Sequence, residues 1–451
     1  MRGKPDYLNH KFPYYPIDLF TIYLRRMNIL LLGSGGREHA IAWKMAQSPL
    51  CEKLFIAPGN PGTSKCGENV PLNISDFDSI GKFCVEKNIH LLIPGPEAPL
   101  VAGITDYFNT RKELQNTRVC GPSKIGAQLE GSKDFAKQFL LRHNIPTAAY
   151  KTFSAAELNE GIDYLEKQSL PVVLKADGLA AGKGVVIAET LGLAKETLSE
   201  MLSGAAFGEA GSRVVVEEFM SGIELSVFIL TDGRNYKIIP TAKDYKRVGE
   251  GDGGLNTGGM GAISPVPFAD ASLMRKIKEQ IIEPTMEGLL LEKISYCGFL
   301  YFGLMNCGGN PKVVEYNCRM GDPETEAVIP LIESDLVELL YAASTGMLEI
   351  PSLKISNQHA ATVVLASGGY PGEFEKGKTI SGIVEAEKSA LVFQAGTTLE
   401  NSMLKTSGGR VIAVTGIGKN SHEALANANA AAEKIQFEKK YFRRDIGFEF
   451  R

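Results

Sequence analysis

The sequence predicts a multidomain protein of mixed α/β and α+β class: a parallel α/β N-terminal domain, a central block, and a small α+β C-terminal domain. Three observations carry this. The chain has 451 residues with 44% hydrophobic content, more than one core normally serves, so about three domains are expected. From Met27 an apolar run, a glycine turn and a helical run follow one another, the opening of a parallel α/β unit. After about residue 358 the pattern changes to short strands, Gly-rich turns and one long helical stretch.

Residues 1–26 are aromatic and Pro-containing and lack the apolar core and cleavage site of a signal peptide. Met27 therefore reads as the biological start, with 1–26 an upstream or poorly packed extension. Ile29–Leu32 is the first strand, Gly33-Ser-Gly-Gly-Arg37 the turn, and Ala40–Ala46 the helix after it. Further strands are expected at Lys53–Ala57, His90–Ile93 and Thr117–Cys120, closed by loops at Pro94-Gly-Pro-Glu97 and Gly121-Pro-Ser123. Ligands of such sheets sit beyond the strands' carboxyl ends, where these loops lie. The first loop is not a dinucleotide fingerprint, because Glu38 stands where the third glycine is needed. Amides at a helix N-terminus, with Arg37 beside them, suit a phosphorylated small molecule instead. This domain should end near Gly131.

The central block carries the densest patterning. Lys133 and Lys137 occupy a helix start, and Pro171–Lys175 is an apolar strand ending in a lysine. A lysine within an apolar pattern is costly unless it meets an anion. The hairpin that follows, Gly178 to Gly184 with Gly182 and Lys183 at its tip, can approach oxygen atoms closely and can move. Arg213–Glu218 supplies a strand and Phe219–Glu224 a turn whose backbone can meet an adenine edge, with Glu224 able to accept from ribose hydroxyls. After Asp244 and Arg247, the glycine-rich segment through Asn256, Thr257 and Gly258 has little side chain to pack and reads as a substrate loop.

Val313–Glu326 is the most informative stretch. Glu315, Asn317 and Arg319 alternate along a β-prone run, and a strand points alternate side chains to one face. A carboxylate beside an amide oxygen can hold Mg²⁺ and leave positions for phosphate, while an arginine neutralises phosphate charge. Alone, the triplet reads equally as an edge strand with a solvated polar face. Strands at Ala361–Leu365 and Arg410–Val414 and a helix from Ser421 to Gln436 complete the C-terminal domain.

Acidic residues number 52 and basic ones 48, well mixed, which gives no electrostatic reason for nucleic acid or an anionic membrane as partner. No apolar run reaches bilayer length. The 7 cysteines form no CxxC pair or Cys/His ligand spacing, the usage of a reducing cytoplasm.

In order along the chain, GSGGREHA, APGNPGT, GPEAPL, LEGSK, KADGLAAGKGV, VEEF, NTGGMGA, EYNCRMGDPETE and a terminal RRDIG resemble the phosphoribosylamine–glycine ligase (glycinamide ribonucleotide synthetase) family of the ATP-grasp superfamily, from Met27 to Arg451. The resemblance implies a Rossmann-like N-terminal substrate domain (27–131), an ATP-grasp domain (132–357) with a mobile lid at about 149–221, and a C-terminal domain (358–451). It implies ATP-dependent joining of glycine to 5-phosphoribosylamine through glycyl phosphate, with Mg²⁺ or Mn²⁺, in a monomeric cytoplasmic enzyme of purine synthesis.

Carried onto this sequence, Lys133 and Lys175 match the ATP-phosphate lysines, and Gly182, Lys183 and Gly184 the lid. Glu217, Phe219 and Glu224 match the adenosine clamp. Glu315 and Asn317 match the metal ligands, and Arg319 the phosphate-holding arginine. Gly35, Gly36, Arg37, Gly95, Glu97, Asn256, Thr257 and Gly258 line the implied phosphoribosylamine pocket, with Asp244 and Arg247 close by as catalytic candidates. Tyr245, Leu255 and Met320 depart from the usual His, Pro and Leu or Phe, without removing a charge.

Overall fold

The computed structural model describes residues 26–179, 184–203 and 213–450. The expected extension at 1–26 lies outside the described residues except for its last position, as do Gly182 and Lys183.

Strands β1 (Met27–Gly33), β2 (Cys51–Pro58), β3 (Glu68–Asn69), β4 (Ile89–Pro94) and β5 (Arg118–Val119) form a parallel sheet in the order β3-β2-β1-β4-β5. A parallel sheet is covered on both faces, so β1 is apolar from Ile29 to Leu32 and alternation only divides these side chains. Leu30 and Leu32 pack to one side with Phe55, Leu92 and Phe108. Ile29 and Leu31 pack to the other with Ile41, Ile56 and Ile93. The first helix begins at Gly36, four residues before the apolar run that announced it.

Residues 150–218 form a separate antiparallel sheet of β6 (Tyr150–Ser154), β7 (Val172–Ala176), β8 (Val185–Ala188) and β9 (Arg213–Glu218), ordered β6-β9-β7-β8. Its core is its own: Phe153, Leu165, Val172, Leu174, Leu198, Val214 and Val216 form one cluster that excludes the rest of the chain.

The remaining long strands, β10 (Ile223–Thr231), β11 (Tyr236–Asp244), β12 (Gly261–Ser264), β13 (Gly298–Cys307), β14 (Asn310–Asn317), β15 (His359–Ala366), β16 (Leu391–Gln394), and, after the hairpin β17 (Thr397–Glu400) and β18 (Met403–Thr406), β19 (Arg410–Gly418), build an 8-stranded sheet. Its order is β14-β13-β10-β11-β12-β15-β19-β16, so the β12–β15 pairing carries one sheet across residue 357 into the C-terminal region. The C-terminal α+β unit is thus built on a shared sheet. β12 is buried along its whole length, and pairing on both sides satisfies backbone groups that a buried edge would leave open. The helix Ser421–Lys434 covers β15 and β19; Gln436 lies beyond its end and pairs with Ser381.

Candidate active site

The site forms where β14, the loops of the N-terminal sheet and the 246–258 loop converge. A bulge sets the geometry of β14: Leu304 pairs with Val313 but Gly303 with Glu315, leaving Val314 unpaired by a strand partner. A bulged residue changes which side chains face inward. Val313 and Tyr316 both point into the core, and Glu315 and Asn317 consequently share the opposite face. The Val314 carbonyl accepts a hydrogen bond from Lys175 Nζ at 3.1 Å. The strand ends at Asn317, so Arg319 is placed by its own contacts and not by strand alternation.

Those contacts are ionic. Arg319 Nη2 donates to Glu130 Oε1 at 2.5 Å and to Asn317 Oδ1 at 3.3 Å, and Nε lies 3.4 Å from Glu97. Glu130 also accepts from the Cys318 amide at 2.7 Å. Arg37 and Arg319 both donate to the Met320 carbonyl, each at 3.2 Å, which draws the N-terminal glycine loop onto the end of β14. Arg37 is itself buried against Glu38 at 2.6 Å. Met320 is fully buried, so its departure from the family pattern concerns packing.

Two N-terminal glycines are required by close approach. A Cβ on Gly95 would stand 2.4 Å from Glu38 Oε1 and 2.7 Å from the Leu32 carbonyl, and one on Gly36 would stand 2.3 Å from Glu326 Oε1. Gly35 donates its amide to Glu38 Oε2 at 2.7 Å and faces Asp322. Glu97, the first residue of a short helix, lies next to Arg319.

On the side of the β6-β9-β7-β8 sheet, Lys175 Nζ and Lys137 Nζ approach the two oxygens of Glu217 at 3.0 and 3.3 Å, all three side chains being buried. Burial outweighs the Glu217 charge at Lys137 and pushes that lysine down to about 8. Lys133 donates to the Gly178 carbonyl at 3.0 Å at the base of the glycine hairpin. Burial lowers its pKa, against the opposing charge of Glu315. The Glu217 carboxylate is therefore turned to the lysines, while Phe219, past the end of β9, is 43% exposed. Gly184 adjoins the described edge of the hairpin and accepts from the Ala176 amide at 2.8 Å.

Glu224 pairs with Lys246 at 2.5 Å and, with Ser226, Tyr301 and Glu315, lines a cleft over β10 and β13. The lysine holds the Glu224 carboxyl below its ordinary range. Asp244 is buried 3.7 Å from Lys246, and burial raises its pKa. Burial together with Asp244 pushes Glu324 up to about 7. The sign follows directly: a carboxyl raised from 4.5 in the folded state destabilises the protein progressively as pH climbs from about 4.5 to about 7, and fully above that. Glu324→Gln mimics the neutral acid, so it should melt with the parent at pH 4.5 and above it at pH 8, as thermal unfolding at the two pH values will show.

Arg247 is engaged within the 247–258 segment. Its guanidinium donates to Gly254 within its own loop at 2.9 Å. Thr257 ties that loop to the Lys246 carbonyl through its amide and hydroxyl, both at 2.8 Å, and Asn256 is paired with Arg247. Gly258 meets the C-terminal region, where Arg410 Nη1 donates to its carbonyl at 2.6 Å and the Tyr370 hydroxyl accepts from its amide at 3.0 Å. Arg410 also pairs with Asp322 at 3.1 Å, completing the ring of loops.

Among the described residues no group of three or more His, Cys, Asp or Glu is arranged to hold a metal. Glu315 and Asn317 offer two oxygen donors on one face, which fits a hard cation that takes its other ligands from phosphate and water. Among the described residues no helix is long and apolar enough to cross a membrane. Glu130, Lys137, Lys246, Glu324 and Arg410 belong to the site without having been assigned from sequence. Only Lys137, one helical turn after Lys133, carried a readable signal.

Domain models of the phosphoribosylglycinamide synthetase family match the chain in order: the N domain at residues 27–130, the ATP-grasp (A) domain at 131–325 and the C domain at 360–449. The phosphoribosylamine–glycine ligase of Pasteurella multocida is 49% identical over 425 residues, covering 94% of this chain and 98% of that protein. The Haemophilus influenzae enzyme of the same name is 48% identical over 426 residues, with the same coverage of each chain. The crystal structure of phosphoribosylamine–glycine ligase from Thermotoga maritima superposes with a TM-score of 0.80 at 36% identity, covering 93% of this chain and 99% of that one. A biotin carboxylase from Campylobacter jejuni, at 14% identity and a TM-score of 0.70, shares the fold. With all three domain models matched in sequence and nearly the full length aligned, the chain belongs to the phosphoribosylglycinamide synthetase family of ATP-grasp proteins.

Proposed function

We propose that this protein joins glycine to 5-phosphoribosylamine at the expense of ATP, giving glycinamide ribonucleotide, ADP and phosphate in purine synthesis. The observation that carries the reading is the convergence on Arg319 of the β14 oxygen donors, through Asn317, and of the N-terminal loops, through Glu97 and the shared Met320 carbonyl. A phosphoryl-transfer end and a sugar-phosphate end thereby share one arginine.

A carboxylate is a poor electrophile. ATP first transfers its γ-phosphoryl group to a glycine carboxylate oxygen, releasing ADP; the ribosylamine nitrogen then attacks the acyl carbon, phosphate leaves and the amine loses a proton. In this reading Lys133 and Lys175 hold ATP phosphates, with Glu217 keeping Lys175 and Lys137 in place until they arrive. Glu224 takes the ribose and Phe219 covers the base; the 149–221 unit, to which Gly182, Lys183 and Gly184 belong in sequence, closes as the lid. Arg319 steadies charge on the transferred group. Glu315 and Asn317 would hold Mg²⁺ or Mn²⁺, which when bound neutralises phosphate charge. Gly35, Gly36, Arg37, Gly95 and Glu97 with Asn256, Thr257 and Gly258 enclose phosphoribosylamine. Asp244, beside Lys246, and Arg247, in the substrate loop, act close to that pocket. In this reading the enzyme is a cytoplasmic monomer working on small molecules, and the near-balance of 52 acidic and 48 basic residues gives no electrostatic reason for nucleic acid or an anionic membrane as partner.

ADP release measured with ATP, glycine and phosphoribosylamine generated in situ, each omitted in turn, checks this. Turnover should need all three. Turnover that persists without phosphoribosylamine would assign a different amine to the enzyme.

A further inference from the structure

The terminal motif Arg443-Arg-Asp-Ile-Gly447 has no part in the chemistry above, yet Arg443 is wholly shielded from solvent. Burying a guanidinium is costly unless every charge is met. Its Nε and Nη2 donate to the two oxygens of Asp445, each at 2.9 Å. The other contacts go to the substrate loop: Nη1 donates to Asp252 Oδ1 at 2.7 Å and to the Arg247 carbonyl at 3.1 Å, and the guanidinium lies 5.4 Å from the Tyr245 ring.

Neighbouring tail residues hold the same loop. Asp445 Oδ2 accepts from the Gly251 amide at 2.7 Å, the Arg444 amide donates to Glu250 at 3.1 Å, and the Tyr441 hydroxyl donates to the Val248 carbonyl at 2.8 Å. Tyr245, at the root of the loop, donates its hydroxyl to Glu449 at 2.9 Å. Residues 250–256 are exposed, and the glycine-rich sequence gives them no side chains with which to build a core. Their position is therefore imposed from outside, by the last ten or so residues of the chain. The far arm of the same loop is Asn256–Gly258, held against Arg410 and Asp322 next to the N-terminal glycines.

We infer that the C-terminal tail is a latch that fixes the 247–258 loop against the phosphoribosylamine end of the site, with Arg443 and Asp445 as positioning residues. This rests on the proposed reaction for the identity of the substrate, but the latch itself has a readout that does not. Asp252 is 42% exposed, so Asp252→Ala cuts the tie from the loop side without emptying a core. In D252A the KM for phosphoribosylamine should rise at least about tenfold, since small misplacements of substrate-holding groups are costly. The KM values for ATP and glycine and the melting temperature should stay near those of the parent.

Hydrogen exchange of the 248–257 amides should accelerate in the same variant. Arg443→Gln should shift the same constant, and the double variant should be no worse than the worse single one, because the two residues share one contact. If R443Q does not fold, Asp445→Asn takes its place. An unchanged phosphoribosylamine KM in D252A, an equal rise in all three KM values, or unaltered exchange in the loop would each overturn the latch. A parent enzyme that releases ADP without phosphoribosylamine would instead remove the functional reading, and the exchange measurement would still decide the latch.

Discussion

Replacing Glu315 and Asn317 together by alanine should abolish ATP turnover while the protein stays folded. Both side chains leave β14 on the face opposite Tyr316, which is buried against Phe139 and Phe302. The strand is therefore anchored by the core and by its backbone pairing with β13, neither of which the substitutions touch. What they remove, in the proposed reading, is the pair of side-chain oxygen donors assigned to the cation. Several kcal/mol of charge stabilisation in phosphoryl transfer goes with them, equivalent to about a thousandfold or more in rate. The Asn317 oxygen also steadies Arg319 at 3.3 Å, so the two losses reinforce each other. Circular dichroism should be unaltered, and ADP release should stay at background across a titration of Mg²⁺ and Mn²⁺. Parent-like turnover by the double variant would sink the assignment of these residues to the metal.

Much of this was legible in the chain because it depends on local pattern. The strand–turn–helix opening at Met27 and the lysine at the end of an apolar strand are spelled out over a few residues each. So are the alternation of Glu315 with Asn317 and the glycine loop. The structure adds relations between segments far apart in sequence. That β12 pairs with β15 is a choice among edges, made by tertiary context, and it carries the sheet through a boundary that composition had drawn at residue 357. Glu130 reads locally as an ordinary acidic residue at the end of a short helix; only its 2.5 Å contact with Arg319, 189 positions away, gives it meaning. Arg319 itself reads as the third member of a strand face, but β14 stops at Asn317 and carboxylates hold the arginine instead. Glu217 likewise matches a nucleoside contact by its place in VEEF, whereas its side chain is engaged by Lys137 and Lys175. The RRDIG motif was visible, but its role was not, because the loop it holds lies nearly two hundred residues upstream.

Arg319→Ala should lose both stability and activity, and a second substitution should restore only the first. Glu130 is buried, and burial already raises its pKa against the pull of Arg319. Removing the arginine leaves that carboxylate with the Cys318 amide and thiol but no cation, and breaking a buried pair from one side costs about 3–5 kcal/mol. The melting temperature should fall accordingly. Adding Glu130→Gln removes the stranded charge while keeping a group that can accept from Cys318, so most of the lost stability should return. Catalysis should not return with it, because the guanidinium proposed to steady charge on the transferred phosphoryl group is still missing; the expected deficit is about two orders of magnitude or more in kcat. The outcome separates two roles that one static contact cannot. If the double variant regains activity along with its melting temperature, Arg319 is a structural partner of Glu130 alone. If neither returns, the arginine is needed to bring the N-terminal loops to Met320 at all. If stability returns without turnover, the ion pair with Glu130 is what holds the guanidinium in position to act on the phosphoryl group.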